Sequence, residues 1–133
     1  MSQENVEVAR RSVEAFNERD VPTLESLFTE DCILRLIGGF AAVMGTEFRG
    51  GEAVLGWMQD IVDTIGGTAD IDELHEVGDR VLMIITARAS GAASQADVTL
   101  RFGNLYSFRD GQISALDSYY AVDEALKAVG LEE

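Results

Sequence analysis

Apolar residues recur along the first segment at helical spacing. Val6, Ala9, Val13 and Phe16 stand at i, i+3, i+7 and i+10, one stripe of a helix that begins near Ser2 and is closed by Asn17 to Asp20. Asp20 is placed to cap a second, short helix. Pro22 falls in its first turn, where the missing amide hydrogen does no harm, and Leu24, Leu27 and Phe28 form its inner face. Cys32 to Ile37 is apolar and extended in character, Gly38-Gly39 interrupts it, and Phe40 to Met44 is a second apolar run. The expectation is a strand followed by a mobile flap, Gly38 to Gly45. After Gly50-Gly51 the helical period returns in Val54, Trp57, Met58, Ile61 and Ile65, with Asp60 and Asp63 opposite and Gly66-Gly67 as the stop.

From there the pattern becomes extended. Ile71 to Val77, Arg80 to Ala89, Gln95 to Phe108 and Gln112 to Val122 are separated by Gly78-Asp79, Gly91 and Asp110-Gly111, the signature of an antiparallel meander. Val81 to Ile85 is apolar without a break, so its strand is expected to be covered on both faces, by helices on one and by a partner or further sheet on the other. Asp123 is expected to cap a closing helix, Glu124 to Val129, stopped by Gly130. Repeats and linkers are absent from the sequence, so residues 1–133 read as one domain. Helices first and a long curved sheet afterwards imply an α+β cone whose concave face is incompletely filled, leaving a pocket.

Composition narrows the partners. The 133 residues carry 10 Lys+Arg against 24 Asp+Glu, a formal charge of −14, which repels phosphate backbones and anionic lipid surfaces. No nucleic acid and no membrane partner is expected. Hydrophobic content of 47% excludes a disordered acidic tail, so the acids must decorate a filled interior. Cys32 is the single cysteine and fits buried filler in a reducing compartment. The start, MSQENVEVARR, lacks a basic stretch followed by an apolar one, and the uncharged run Leu36 to Thr46 is too short and glycine-rich to span a bilayer. A soluble, cytoplasmic protein is expected.

His75 is the only imidazole, so any histidine-based scheme depends on it alone. Asp70, Asp72, Glu73 and Glu76 have the composition of a hard-cation site, but strand alternation puts Asp70, Asp72 and Glu76 on one face and Glu73 on the other. No metal is expected. The glycine pairs at 38–39, 50–51 and 66–67 do not have dinucleotide or phosphate-loop spacing, and no cofactor is expected.

Five segments, in order, carry a resemblance. Phe16-Asn17-Glu18-Arg19-Asp20, Leu27-Phe28-Thr29-Glu30-Asp31, Phe48-Arg49-Gly50-Gly51-Glu52-Ala53-Val54, Ser107-Phe108-Arg109-Asp110-Gly111-Gln112-Ile113 and Glu124 to Leu131 resemble the SnoaL-like branch of the nuclear transport factor 2-like superfamily. The resemblance implies a cone-shaped, curved, mixed but mainly antiparallel sheet wrapped around three N-terminal helices. It also implies an internal apolar pocket, a short C-terminal helix and a homodimer through the outer sheet face. Polyketide cyclases, ketosteroid isomerases, epoxide hydrolases and non-catalytic binders share that fold, which does not choose among them.

Matching each chemistry residue by residue removes most of it. Against ketosteroid isomerases, Ser12 stands where the tyrosine belongs, Leu36 where the base belongs and Asn104 where the second acid belongs, and a leucine accepts no proton. Asn104 can still donate a hydrogen bond to a carbonyl. Against limonene-type epoxide hydrolases, Ser118 stands at the final acid, Leu34 and Leu36 at the water-holding pair, and Ile85 and Ala87 near the arginine and first acid. A one-residue slip of that strand would bring Arg88 inward. Against SnoaL-type cyclases, Asp117 is the best remaining carboxylate, turned outward unless a bulge re-aims it.

The catalytic candidates are therefore Asp117, Arg88 and His75. The expected pocket is formed by Phe16, Leu36, Trp57, Ile61, Ile84, Asn104, Leu116, Ser118 and Tyr120, with Tyr119 turned toward the partner subunit. Apolar walls with a few hydrogen-bonding tips suit a small neutral hydrophobic or aromatic molecule. The expectation is a binder of such a molecule. The alternatives are a cyclase- or isomerase-like enzyme acting on it, and a dimeric interaction module whose cavity is leftover space.

Overall fold

The computed structural model describes residues 2–39, 47–90 and 97–131. Helix α1, Ser2–Glu18, buries Ala9, Ser12, Val13 and Ala15 against the sheet, a wider stripe than the apolar spacing alone marks. Its C-terminal end is tied down by Asn17, whose amide donates to Ala69 O and whose Oδ1 accepts from Ala69 N, both at 2.8 Å. Helix α2, Val21–Leu27, begins as expected: Asp20 accepts from Thr23 N at 3.2 Å and from the Thr23 hydroxyl at 2.6 Å, with Pro22 in the first turn. Strand β1, Phe28–Ile37, follows directly, so Phe28 opens a strand rather than ending a helix. Strand β2, Glu47–Arg49, and helix α3, Gly51–Ile65, come next. Of the expected flap, Gly38 to Gly45, everything after Gly39 lies outside the described residues.

The meander forms as the period predicts: β3, Thr68–Val77; β4, Arg80–Ser90; β5, Asp97–Arg109; and β6, Gln112–Tyr119. The sheet order is β2-β1-β6-β5-β4-β3, with β1 and β6 parallel and every other pair antiparallel. Helix α4, Val122–Ala128, closes the described chain. Strand β6 thus stops before Val122, and Asp123 sits inside the first turn of α4 rather than at its cap, which is Ala121 without a side-chain hydrogen bond.

Val81 to Ile85 is buried throughout, as the unbroken apolar run requires. Val81, Met83 and Ile85 face the main core with α1, whereas Leu82 and Ile84 join Leu105 beneath Ala125 of α4. The second face is therefore covered in part by the chain's own last helix. Tyr119 packs, partly buried, against that same cluster. The fit requires Gly103 on β5, since a Cβ there would lie 2.5 Å from the Cβ of Ala125. Together the elements give an α+β cone with a curved, open, mixed sheet, in agreement with the sequence.

Candidate functional site

A cavity of about 220 Å³ lies between the concave sheet face and helices α1 and α3. Alternation aims Leu100, Phe102, Asn104 and Tyr106 of β5 into it, because residues two apart share a face. Leu34 of β1, Leu116 and Ser118 of β6, and Ile85 of β4 extend the same wall. Ser12, Val13 and Phe16 descend from α1, and Trp57, Met58 and Ile61 from α3. The Trp57 ring sits 6.1 Å from that of Phe48, which braces it from β2.

Polar groups in this lining concentrate in one row. Asn104 and Ser118 are direct cross-strand partners, so their side chains meet on the inner face. The Ser118 hydroxyl donates to Asn104 Oδ1 at 2.7 Å, and Asn104 Nδ2 donates to Tyr106 Oη at 3.4 Å. Tyr106 is 2% exposed. Burial pushes its phenol pKa up, with the hydrogen bond from Asn104 and the neighbouring Ser12 hydroxyl opposing the shift, so it is a neutral hydroxyl at ordinary pH. Ser12 in turn donates to Ala9 O at 2.6 Å. An asparagine amide has two N–H groups, and the second has no acceptor among the described residues. A ligand oxygen can take it.

Among the described residues that line the cavity, only Arg88 and Tyr106 are ionisable. Arg88 lines the rim, but its guanidinium donates to Asp70 at 3.2 Å and is largely exposed, so the register does not slip to bring it inward. Asp117 points outward as alternation requires and is held at 2.8 Å by Arg35, which also reaches Glu47 at 3.8 Å. His75 lies 3.0 Å from the Glu73 carboxylate on the outer face. None of the three meets another at the cavity.

Of the nine expected lining residues, Phe16, Trp57, Ile61, Asn104, Leu116 and Ser118 do line it. Leu36 is in the core but beyond the end of the cavity, which Leu34 lines instead. Ile84 faces the opposite side, under α4. Tyr120 follows the last residue of β6, is 47% exposed, and lays its ring against Gly39 rather than entering the pocket. Tyr106 was missed, although its spacing of two from Asn104 puts it on the same face.

The acidic group on β3 also differs from alternation. The register shifts between Ile71 and Glu73, leaving Asp72 as the extra residue, and both Asp72 and Glu73 reach Arg101, at 3.4 and 2.8 Å. Thr86 donates to Asp72 as well. No group of three or more His, Cys, Asp or Glu among the described residues is arranged to hold a metal ion. Among the described residues, no helix is long and apolar enough to cross a membrane.

The family model described as a SnoaL-like domain matches residues 9–116. No curated protein matches the chain by sequence. Among solved structures, the chain is similar to an NTF2-like protein of unknown function from Burkholderia pseudomallei, at 22% identity and a TM-score of 0.78, covering 95% of this chain and 97% of that one. It is also similar to an LEH-like epoxide hydrolase of M. tuberculosis, at 17% identity and a TM-score of 0.75, covering 96% and 90%. TerC co-crystallised with polyporic acid aligns at 20% identity and a TM-score of 0.77, covering 95% and 97%. At these identities the likeness concerns the fold.

Proposed function

The chain belongs to the SnoaL-like family, and on that premise we propose that it binds a neutral hydrophobic or aromatic molecule carrying an oxygen. The observation that carries this reading is the lining: apolar walls interrupted by one hydrogen-bonded row, Ser118, Asn104 and Tyr106, in which one amide N–H of Asn104 has no acceptor among the described residues. A charged ligand would find only Arg88, at the rim and already paired with Asp70, so burying it costs far more than burying a neutral one. TerC, a structural relative co-crystallised with a small molecule, supports the idea that this fold accepts such guests. Acid–base turnover through Asp117 or His75 gains no support, because both carboxylate and imidazole are engaged on the outer face.

Homodimerisation through the outer sheet face is part of the proposal. Arg49, Glu47, Arg35 and Asp117 alternate in sign across β2, β1 and β6, a pattern a second copy can complement. Sedimentation velocity checks it. A cytoplasmic setting is supported by the free, buried Cys32.

The binding reading is tested by thermal unfolding in the presence of steroids, monoterpenes, aromatic polyketides and simple phenols. A ligand at 100 times its dissociation constant stabilises the native state by about 2.7 kcal/mol. A shift with oxygen-bearing members is expected. No shift with any of them would favour an interaction module over a binder.

A further inference from the structure

A second space of about 230 Å³ lies on the other side of the cavity wall, in the groove between α1, α2 and α3. Phe16 and Met58 line both spaces, so they form the partition between them. The groove walls are otherwise Val21, Leu24, Leu55 and the aliphatic edge at Gly56, and Val21 is 42% exposed.

Both polar side chains of the groove have partners. Arg19 donates to Phe16 O at 2.8 Å and to Gly67 O at 2.6 Å, and its guanidinium lies 5.3 Å from the Phe16 ring centroid. Gln59 donates to Asp63 at 2.9 Å. The inner cavity has the opposite character at its far end, where Asn104 keeps an N–H to give. Along α1, Ser12 beside the polar row and Phe16 at the partition stand about one turn apart, a rise of roughly 6 Å, and the groove opens past the helix end. Polar row, wall and groove thus follow one another along the helix.

We propose that the groove is a tail subsite: the oxygen of one ligand meets Asn104 and Tyr106, and an apolar chain on the same molecule passes between Phe16 and Met58 to lie along Val21, Leu24 and Leu55. This deepens the binding reading above and rests on it. The ligand class is an oxygen-bearing ring with an aliphatic substituent long enough to pass Phe16, a rise of roughly 6 Å from Ser12, and enter the groove. Phe16 is only partly buried.

The test uses para-alkylphenols of increasing chain length, titrated against the intact protein with the fluorescence of Trp57, the only tryptophan, as the signal from the cavity. Affinity should rise roughly fourfold per added methylene, and the rise should continue past the butyl compound as the tail enters the groove. Gly56→Phe fills the groove from an exposed helix position where an added Cβ meets nothing within 4 Å, so this variant is expected to fold. In it the gain should stop at the partition, while p-cresol binds as in the parent. Gly56→Leu gives the same readout with less bulk. A plateau at butyl in the parent protein, or a continued gain in Gly56→Phe equal to the parent's, would overturn the subsite while leaving the cavity reading intact. If p-cresol itself does not bind, both fall.

Discussion

Replacing Gly103 by alanine tests how tightly α4 is seated on the outer sheet face. The added methyl would stand 2.5 Å from the Cβ of Ala125, which is fully buried. Carbon atoms in contact prefer about 3.5–4.0 Å, so α4 must retreat by roughly 1 Å or more, a gap that forfeits a quarter to a half of each contact it opens. Overpacking of this kind costs about 1–3 kcal/mol. Removing a glycine from a strand interior offsets about 0.5–1 kcal/mol of that. The net expectation is a loss of about 1–2 kcal/mol, or on the order of 4–8 °C in Tm for a domain of this size. Urea denaturation followed by circular dichroism measures it. Ala125→Gly restores the space, so the double variant should be more stable than the sum of the singles predicts by about 1 kcal/mol. Additive effects, or a Gly103→Ala protein within 0.5 kcal/mol of the parent, would refute the close approach.

Three further outcomes follow from the same geometry. Asn104→Leu keeps the volume and removes the amide, so affinity for p-cresol should fall about tenfold while affinity for toluene does not, as isothermal titration would show. Arg109, with hydrogen bonds at 2.5 and 3.2 Å, holds the Asp31 carboxyl down to about 2 from its ordinary 3.8. Its folded value is the lower one, so the stabilisation is present above the ordinary value and is lost as pH falls through the folded one. Asp31→Asn should therefore flatten the acid limb of a stability–pH profile between about pH 4 and 2, and an unchanged limb would remove this pair as its source. Asp117→Asn, which acts only on the outer-face network with Arg35, should leave p-cresol affinity unaltered by the same titration.

Period and turn residues made the elements legible. Helix α1, the Asp20 cap, α3 and the four-strand meander follow from spacing, and the inward aim of Asn104, Leu116 and Ser118 follows from resemblance and alternation. What alternation could not supply is parity within Val81 to Ile85. Five consecutive apolar residues carry no signal of which side each faces, and Ile84 went to α4. Tyr120 was extrapolated past the end of a strand, where the two-residue period no longer holds. Asp72 illustrates a bulge, which leaves no mark in a stretch of polar residues. Tyr106 was readable by the same rule that placed Asn104, since it stands two residues further along the same strand.

The most direct measurement of the account is a crystal structure of the protein saturated with p-cresol. It should show the ring in the cavity beside Trp57 and the phenol oxygen at about 3 Å from Asn104 Nδ2 or Tyr106 Oη. An empty cavity at saturating p-cresol, or a phenol lodged on the outer sheet face, would contradict it.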